Sequence, residues 1–212
     1  MNGHKLKSLE DLAQVVKEAK SRGLKIVLAH GVFDLLHYGH MRYLEQSKAL
    51  GDLLIVSVVA DKFVKKGPGR PVYNQNIRLN SIAALECVNY TVACNEEGPW
   101  EILTALKPQI YSRAKDVAYL LNDPDSGLSK DKQLVESMGS KLVFVDEIPG
   151  FHSSQILNEY FPVHPPEVSS FLKSYRQRHS ADEIIQKIEQ LKDLRVLVVG
   201  DAIIDRYYYT VP

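Results

Sequence analysis

The residues best suited to chemistry lie together at positions 30–40, HGVFDLLHYGH. His37 and His40 are three apart, so where a loop turns into a helix they project from neighbouring positions. Two imidazoles there can donate hydrogen bonds to one polyphosphate. Gly31 allows a tight turn or close approach of a phosphate to the backbone, and Gly39 does the same at the start of the helix. The N–H groups of that first turn, with the positive end of the helix dipole, attract a phosphate. Two other readings stay open on the residues alone. His37, His40 and Asp34 can make a metal site, or the histidines can be satisfied structural groups. Placement of the whole string directly after a buried strand favours phosphate.

That placement follows from the surrounding elements. Residues 25–29 (KIVLA) and 53–59 (LLIVSVV) are short apolar runs of the buried-strand type, with a helix expected over 41–50 and a stop at Gly51. Strand, helix, strand in this span is a βαβ unit, whose right-handed crossover makes the strands parallel. A helix over 8–22 precedes it, capped by Ser8 and ended by Gly23. The alternation continues with helix 76–87, strand 90–93, helix 100–106, strand 109–111, helix 130–138, strand 141–145 and a closing helix over 153–161. The expected fold class is α/β, a doubly wound Rossmann-like sandwich of about five parallel strands flanked by helices. In such sheets ligands bind at the carboxyl ends of the strands, which is where 30–40 falls.

Domain boundaries are expected at 1–161 for this unit, 162–193 for a linker and helical segment opening on PVHPP, and 194–212 for the start of a truncated second domain. The last begins with RVLVVGDAIID, which reads as a fresh buried strand. Twenty-six basic residues balance 26 acidic ones, so charge makes no case for nucleic acid or an anionic membrane as partner. No apolar run is long enough to span a bilayer, and the N-terminus is too polar for a secretory signal. Cys87 and Cys94 read as buried thiols in a reducing, cytoplasmic setting.

The string GVFDLLHYGH resembles the HxGH signature of the cytidylyltransferase-like nucleotidyltransferases, and the likeness runs on through MRYLEQSKALGDLLIVSVVAD and GPGRPVYNQNIRLNSIAALECVNY to about residue 161. Within that superfamily it is most similar to the adenylyltransferase half of bifunctional heptose-phosphate kinase/adenylyltransferases, with glycerol-phosphate cytidylyltransferases next. RVLVVGDAIIDRYYY is similar to the opening strand of ribokinase-like sugar kinases, where Gly200, Asp201 and Asp205 would sit near the sugar.

The resemblance implies roles by position. Val32, Phe33 and Asp34 would line the nucleotide pocket, mainly through backbone, beside Gly31 and Gly39. His37 and His40 would bind the triphosphate, and Arg78 would help hold phosphate. Lys65 and Lys66 would grip the acceptor phosphate; a solvated loop tip is the plainer alternative for that pair. Ser153 and Ser154 match a hydroxyl pair that caps the last helix or reaches the nucleotide. Relatives carry Lys-Gly-x-Asp-Tyr after the fourth strand; this chain has Arg113, Ala114, Lys115, Asp116, Val117, keeping only the Asp, and it ends on Phe151, His152, Ser153, Ser154 rather than Ile-Ser-Thr-Thr. Arg113 and Asp116 would therefore contact substrate in altered form.

The implied reaction is nucleotidyl transfer from an NTP, with Mg²⁺, to a small phosphorylated sugar such as heptose 1-phosphate, giving an ADP-sugar and pyrophosphate. A multifunctional kinase-fused homodimer of carbohydrate metabolism is the matching expectation. CTP with a polyol phosphate such as glycerol 3-phosphate, or a catalytically impaired nucleotide-binding module, are the alternatives.

Overall fold

The computed structural model describes residues 4–67, 69–146, 165–195, 197 and 199–200. They fall into two units, 1–163 and 164–212. In the first unit, five strands form one parallel sheet: β1 (Ile26–Gly31), β2 (Leu53–Val59), β3 (Tyr90–Cys94), β4 (Ile110–Ala114) and β5 (Lys141–Val145), in the order β3-β2-β1-β4-β5. The central strand β1 buries Ile26, Val27, Leu28, Ala29 and His30. Near-continuous apolar sequence of this kind is what a parallel strand covered on both faces requires.

Helices cover both faces. On one side α1 (Leu9–Ser21), α4 (Trp100–Leu106) and α5 (Gly127–Ser137) close a core that includes Leu12, Val16, Leu28, Ile55, Leu103 and Tyr111. On the other, α2 (Tyr38–Lys48) and α3 (Gln75–Ala83) close a core around Val27, Ala29, Leu44, Val56, Leu79 and Ile82. Ser8 caps α1 by accepting from the Asp11 N–H, as its sequence position predicts. The chain winds outward from β1 through β2 to β3, then returns to place β4 on the other side of β1. The direction of winding reverses between β1 and β4, which makes their carboxyl ends the topological switch point of the sheet.

Most expected elements fall within a few residues of their observed bounds, and three differences matter for the site. Helix α2 begins at Tyr38, three residues earlier than the apolar pattern suggests, so His40 lies in its first turn. Strand β4 runs to Ala114 rather than ending at Tyr111. Its polar residues hid it: Ser112 and Arg113 do not read as a buried strand, yet both are satisfied by specific partners described below. A 3₁₀ segment, Lys115–Asn122, then follows where no element is expected.

In the second unit, α6 (Pro166–Arg178) starts with proline at its first helical position, and α7 (Ala181–Gln190) starts with a complete Ser180–Glu183 capping box. The α6 helix was not anticipated. The expected strand opening at Arg195 does not form among the described residues of 194–200. The closing helix over 153–161, the strand's remainder and Asp201 and Asp205 lie outside the described residues. No helix among those described is long and apolar enough to cross a membrane.

Candidate active site

A cleft opens at the switch point. It is lined by His30, Gly31, Val32 and Phe33 from the end of β1, His40 and Tyr43 from α2, Val59 after β2, Lys66, and Arg113, Ala114, Asp116 and Val117 from the end of β4. The sequence brings the signature loop here because β1 ends at Gly31 and α2 starts only seven residues later.

The histidine pair sits at the N-terminus of α2. His37 is the N-cap, with extended backbone and no side-chain capping bond, and His40 follows in the first turn. Their rings stack with centroids 3.8 Å apart, and Phe33 meets His40 edge-on at 5.4 Å. Within the described residues His40 Nδ1 is buried and has no hydrogen-bond partner. Burial, then the neighbouring His37 and Lys66, push the His40 pKa down to about 3. The imidazole is thus neutral at pH 7 in the ligand-free cleft. Burial also holds His30 well below its ordinary value, with Arg113 adding to the effect; its Nδ1 is 2.8 Å from Ser57 Oγ.

The side chains of two expected site residues, Arg78 and Asp34, build the loop. Arg78 does not line the cleft. Its side chain is fully buried and donates to the carbonyls of Tyr73 (2.8 Å), Val32 (2.5 Å) and Val59 (2.8 Å) and to Asp61 (2.6 Å). The expectation that it holds phosphate gives way to a guanidinium whose N–H groups are spent on fixing Val32 and the ends of β2 and α3. Asp34 is likewise turned away from the cleft, 2% exposed, and accepts from the Val72 and Tyr73 N–H groups with Arg70 at 3.9 Å. It ties the signature loop to the segment that precedes α3. At Gly31 a Cβ would meet the Phe33 ring at 3.1 Å, so the ring would have to give by a few tenths of an ångström. Phe33 and Leu35 both adopt positive φ, 53° and 47°, a conformation that costs side-chain-bearing residues free energy and needs such fixing. Gly39 is buried in the first turn of α2.

The lysine pair separates. Lys65 reaches Glu97 at 2.6 Å on the exposed rim, whereas Lys66 lines the cleft. Arg113 and Asp116 are both in the lining. Ser153 and Ser154 lie outside the described residues. Sequence reasoning did not single out His30, Tyr43, Val59 or Val117. His30 was visible as the residue before Gly31, and Tyr43 as one turn along from His40; the other two carry only apolar side chains.

A family model described as cytidylyltransferase-like matches residues 28–187. The chain belongs to the cytidylyltransferase-like family. Among curated proteins, it is 36% identical over 157 residues to the bifunctional protein HldE of Trichlorobacter lovleyi, covering 73% of this chain and 30% of that protein. It is 37% identical over 154 residues to HldE of Azorhizobium caulinodans, covering 72% of this chain and 31% of the relative. The chain thus spans only about a third of the length of these curated relatives. A solved pantoate-beta-alanine ligase from Francisella tularensis matches with a TM-score of 0.53 at 16% identity, covering 87% of this chain and 85% of that one, a likeness of fold. Membership of the cytidylyltransferase-like family makes the chain a nucleotidyltransferase.

Proposed function

We propose that this domain transfers an adenylyl group from ATP to a sugar phosphate such as heptose 1-phosphate, yielding a nucleotide-activated sugar and pyrophosphate. One observation carries the reading: His40, stacked on the N-cap residue His37 at the N-terminus of α2, lines a cleft that also holds Lys66 and Arg113. A helix N-terminus beside a cleft lined by an imidazole and two cations suits a polyphosphate. The likeness to HldE proteins supports the choice of adenylyl group and sugar phosphate.

An acceptor phosphate is already ionised near pH 7, so no general base is needed. Its oxygen forms the new bond to the α-phosphorus in line, as the bond from that phosphorus to the bridging oxygen of pyrophosphate breaks. The leaving group takes the electron pair. The protein's part is positioning and neutralising charge. His40, neutral in the ligand-free cleft, donates one N–H; a polyphosphate beside it raises its affinity for a second proton. Val32, Phe33 and Gly39 offer backbone to the nucleotide, Lys66 and Asp116 face the acceptor side, and Arg113 meets a substrate phosphate. Arg78 and Asp34 act at one remove by holding the loop.

Mg²⁺ would arrive with the nucleotide and share neutralisation of its phosphates. Among the described residues no group of three or more His, Cys, Asp or Glu is arranged to hold a metal. Asp116 is the carboxylate in the cleft lining.

Pyrophosphate release tests the reading. ATP, CTP, GTP and UTP are each paired with heptose 1-phosphate and with glycerol 3-phosphate in the presence of Mg²⁺. ATP with the heptose phosphate should give the highest turnover. CTP with the polyol phosphate as the best pair would replace the proposed substrates, and nucleotide binding without release from any pair would make the domain a binding module.

A further inference from the structure

Behind the cleft floor lies a polar chain that the reaction as described does not use. Tyr111 and Arg113 are two apart on β4, so their side chains leave the same face of the sheet. Arg113 Nη1 donates to the Tyr111 hydroxyl oxygen at 3.0 Å. The Tyr111 hydroxyl donates in turn to Asp131 Oδ2 at 2.8 Å, and Asp131 Oδ1 accepts from Trp100 Nε1 at 2.9 Å. Tyr111 is fully buried, and Asp131, on α5, is 4% exposed.

A carboxylate and a phenol inside an otherwise apolar layer of Leu12, Val16, Leu103 and Val135 are costly, and apolar residues would pack there as well. Their directionality gives the arrangement a purpose. Burial pushes the Tyr111 phenol well up, so it keeps its proton and gives it to Asp131. The phenol oxygen is then free only to accept, and what it accepts is the guanidinium. Burial also raises the Asp131 carboxyl, while Arg113 and the Tyr111 and Trp100 hydrogen bonds oppose that rise. The backbone beside Arg113 is fixed from the opposite face, where the Tyr43 hydroxyl donates to the Ser112 carbonyl at 2.8 Å and Ser47 and Ser112 Oγ lie 2.6 Å apart. Arg113 Nη1 also reaches the His30 carbonyl at 3.4 Å, at the end of β1. With Nη1 occupied, Nε and Nη2 have no hydrogen-bond partner among the described residues, and Arg113 lines the cleft.

We propose that Trp100, Asp131 and Tyr111 form an anchor that fixes the Arg113 guanidinium by one nitrogen, so that its remaining N–H edge is presented to a phosphate of the bound substrate. Tyr111 and Asp131 are then positioning residues that act through Arg113. The fork of arginine is essential to this: one nitrogen is spent on the anchor and another still meets an oxygen, a division that the single ammonium of lysine cannot make with fixed geometry. The phosphate belongs to the nucleotide or to the acceptor, and the proposal rests on the reading that the cleft holds both.

Calorimetric titration with two probes, Mg-ATP and inorganic phosphate, tests it in the full chain. Arg113→Ala should weaken one of the two by about tenfold, which tells nucleotide from acceptor. Tyr111→Phe should weaken the same probe several-fold and leave the other unchanged. In the Arg113→Ala background, Tyr111→Phe should add nothing to the loss of affinity. Arg113→Lys should not restore wild-type binding. Asp131→Asn, which keeps its shape but has one oxygen and so can accept from only one of Tyr111 and Trp100, should fall between wild type and Tyr111→Phe. Thermal melts of every variant separate loss of fold from loss of positioning.

An Arg113→Ala variant that binds both probes as wild type does overturns the proposal. So does a Tyr111→Phe defect that is undiminished without Arg113, or one that tracks only the melting temperature. If the affinity pattern holds but no acceptor releases pyrophosphate, the anchor stands and the transferase reading falls. If the wild-type chain binds neither probe, both fall.

Discussion

His40 lies under His37 with ring centroids 3.8 Å apart, and its Nδ1 is buried with no partner among the described residues. Two imidazoles so close cannot both carry charge without a compensating anion between or beside them. His40 is neutral when the cleft is empty, and a polyphosphate bound beside it would make it a better proton acceptor.

The first prediction concerns turnover. His40→Ala should lower kcat for pyrophosphate release on the order of 10²-fold, the cost of losing one well-placed transition-state donor. The melting temperature should hardly change, because the side chain lost has an unsatisfied buried nitrogen. Near-normal kcat would remove His40 from the reaction.

The second concerns pH. In the folded chain His40 takes up a proton only near pH 3, whereas in the unfolded chain it does so near 6.5. Between those values the unfolded chain holds more protons, so stability rises with pH across the window and is lost as pH falls from about 6.5 toward 3. The loss attributable to His40 should be a few kcal/mol at most, on the order of 1.4 kcal/mol per pH unit of displacement. His30 is displaced in the same direction. Urea denaturation of His40→Asn across pH 4–7 should show a shallower slope than wild type; an unchanged slope would place the titration elsewhere.

The third separates holding the loop from holding phosphate. Arg78→Leu leaves the carbonyls of Val32, Val59 and Tyr73 without their donor. Stability should drop by roughly 3 kcal/mol or more, at about 1–3 kcal/mol per buried orphan. The drop should be equal with and without Mg-ATP after correction for affinity. An affinity loss with unchanged denaturation would return Arg78 to a direct phosphate role.

The fourth tests the glycine before the loop. Gly31→Ala puts a methyl 3.1 Å from the Phe33 ring. Overpacking of this order costs about 1–3 kcal/mol, and here it displaces a residue already held at φ 53°. Melting temperature and nucleotide affinity should fall together. An affinity loss alone would point to a phosphate lying against Gly31.

The parallel sheet, its helices and the location of the cleft were legible because apolar runs such as 53–59 and the β1–loop–α2 order constrain little else. The division of labour inside the loop was not. The resemblance implies ligand roles for Asp34 and Arg78, and only tertiary partners at positions 32, 59 and 72–73 reveal that their side chains fix the backbone. The length of β4 was hidden for a related reason. Ser112 and Arg113 break its apolar pattern, and the groups that make them tolerable, Ser47 and Tyr111 with Asp131, come partly from distant sequence. Buried polar residues are recognisable as structural only once both halves of each hydrogen bond are known.

Asp34 joins the histidine loop to residues 72 and 73, a few positions beyond Lys66, which faces the same cleft. One carboxylate thus couples the stretch expected to cradle the nucleotide with the stretch that approaches the other reactant. A lesion at Asp34 should consequently raise the KM of both substrates in a bisubstrate analysis, and the order in which the two bind should be sensitive to it.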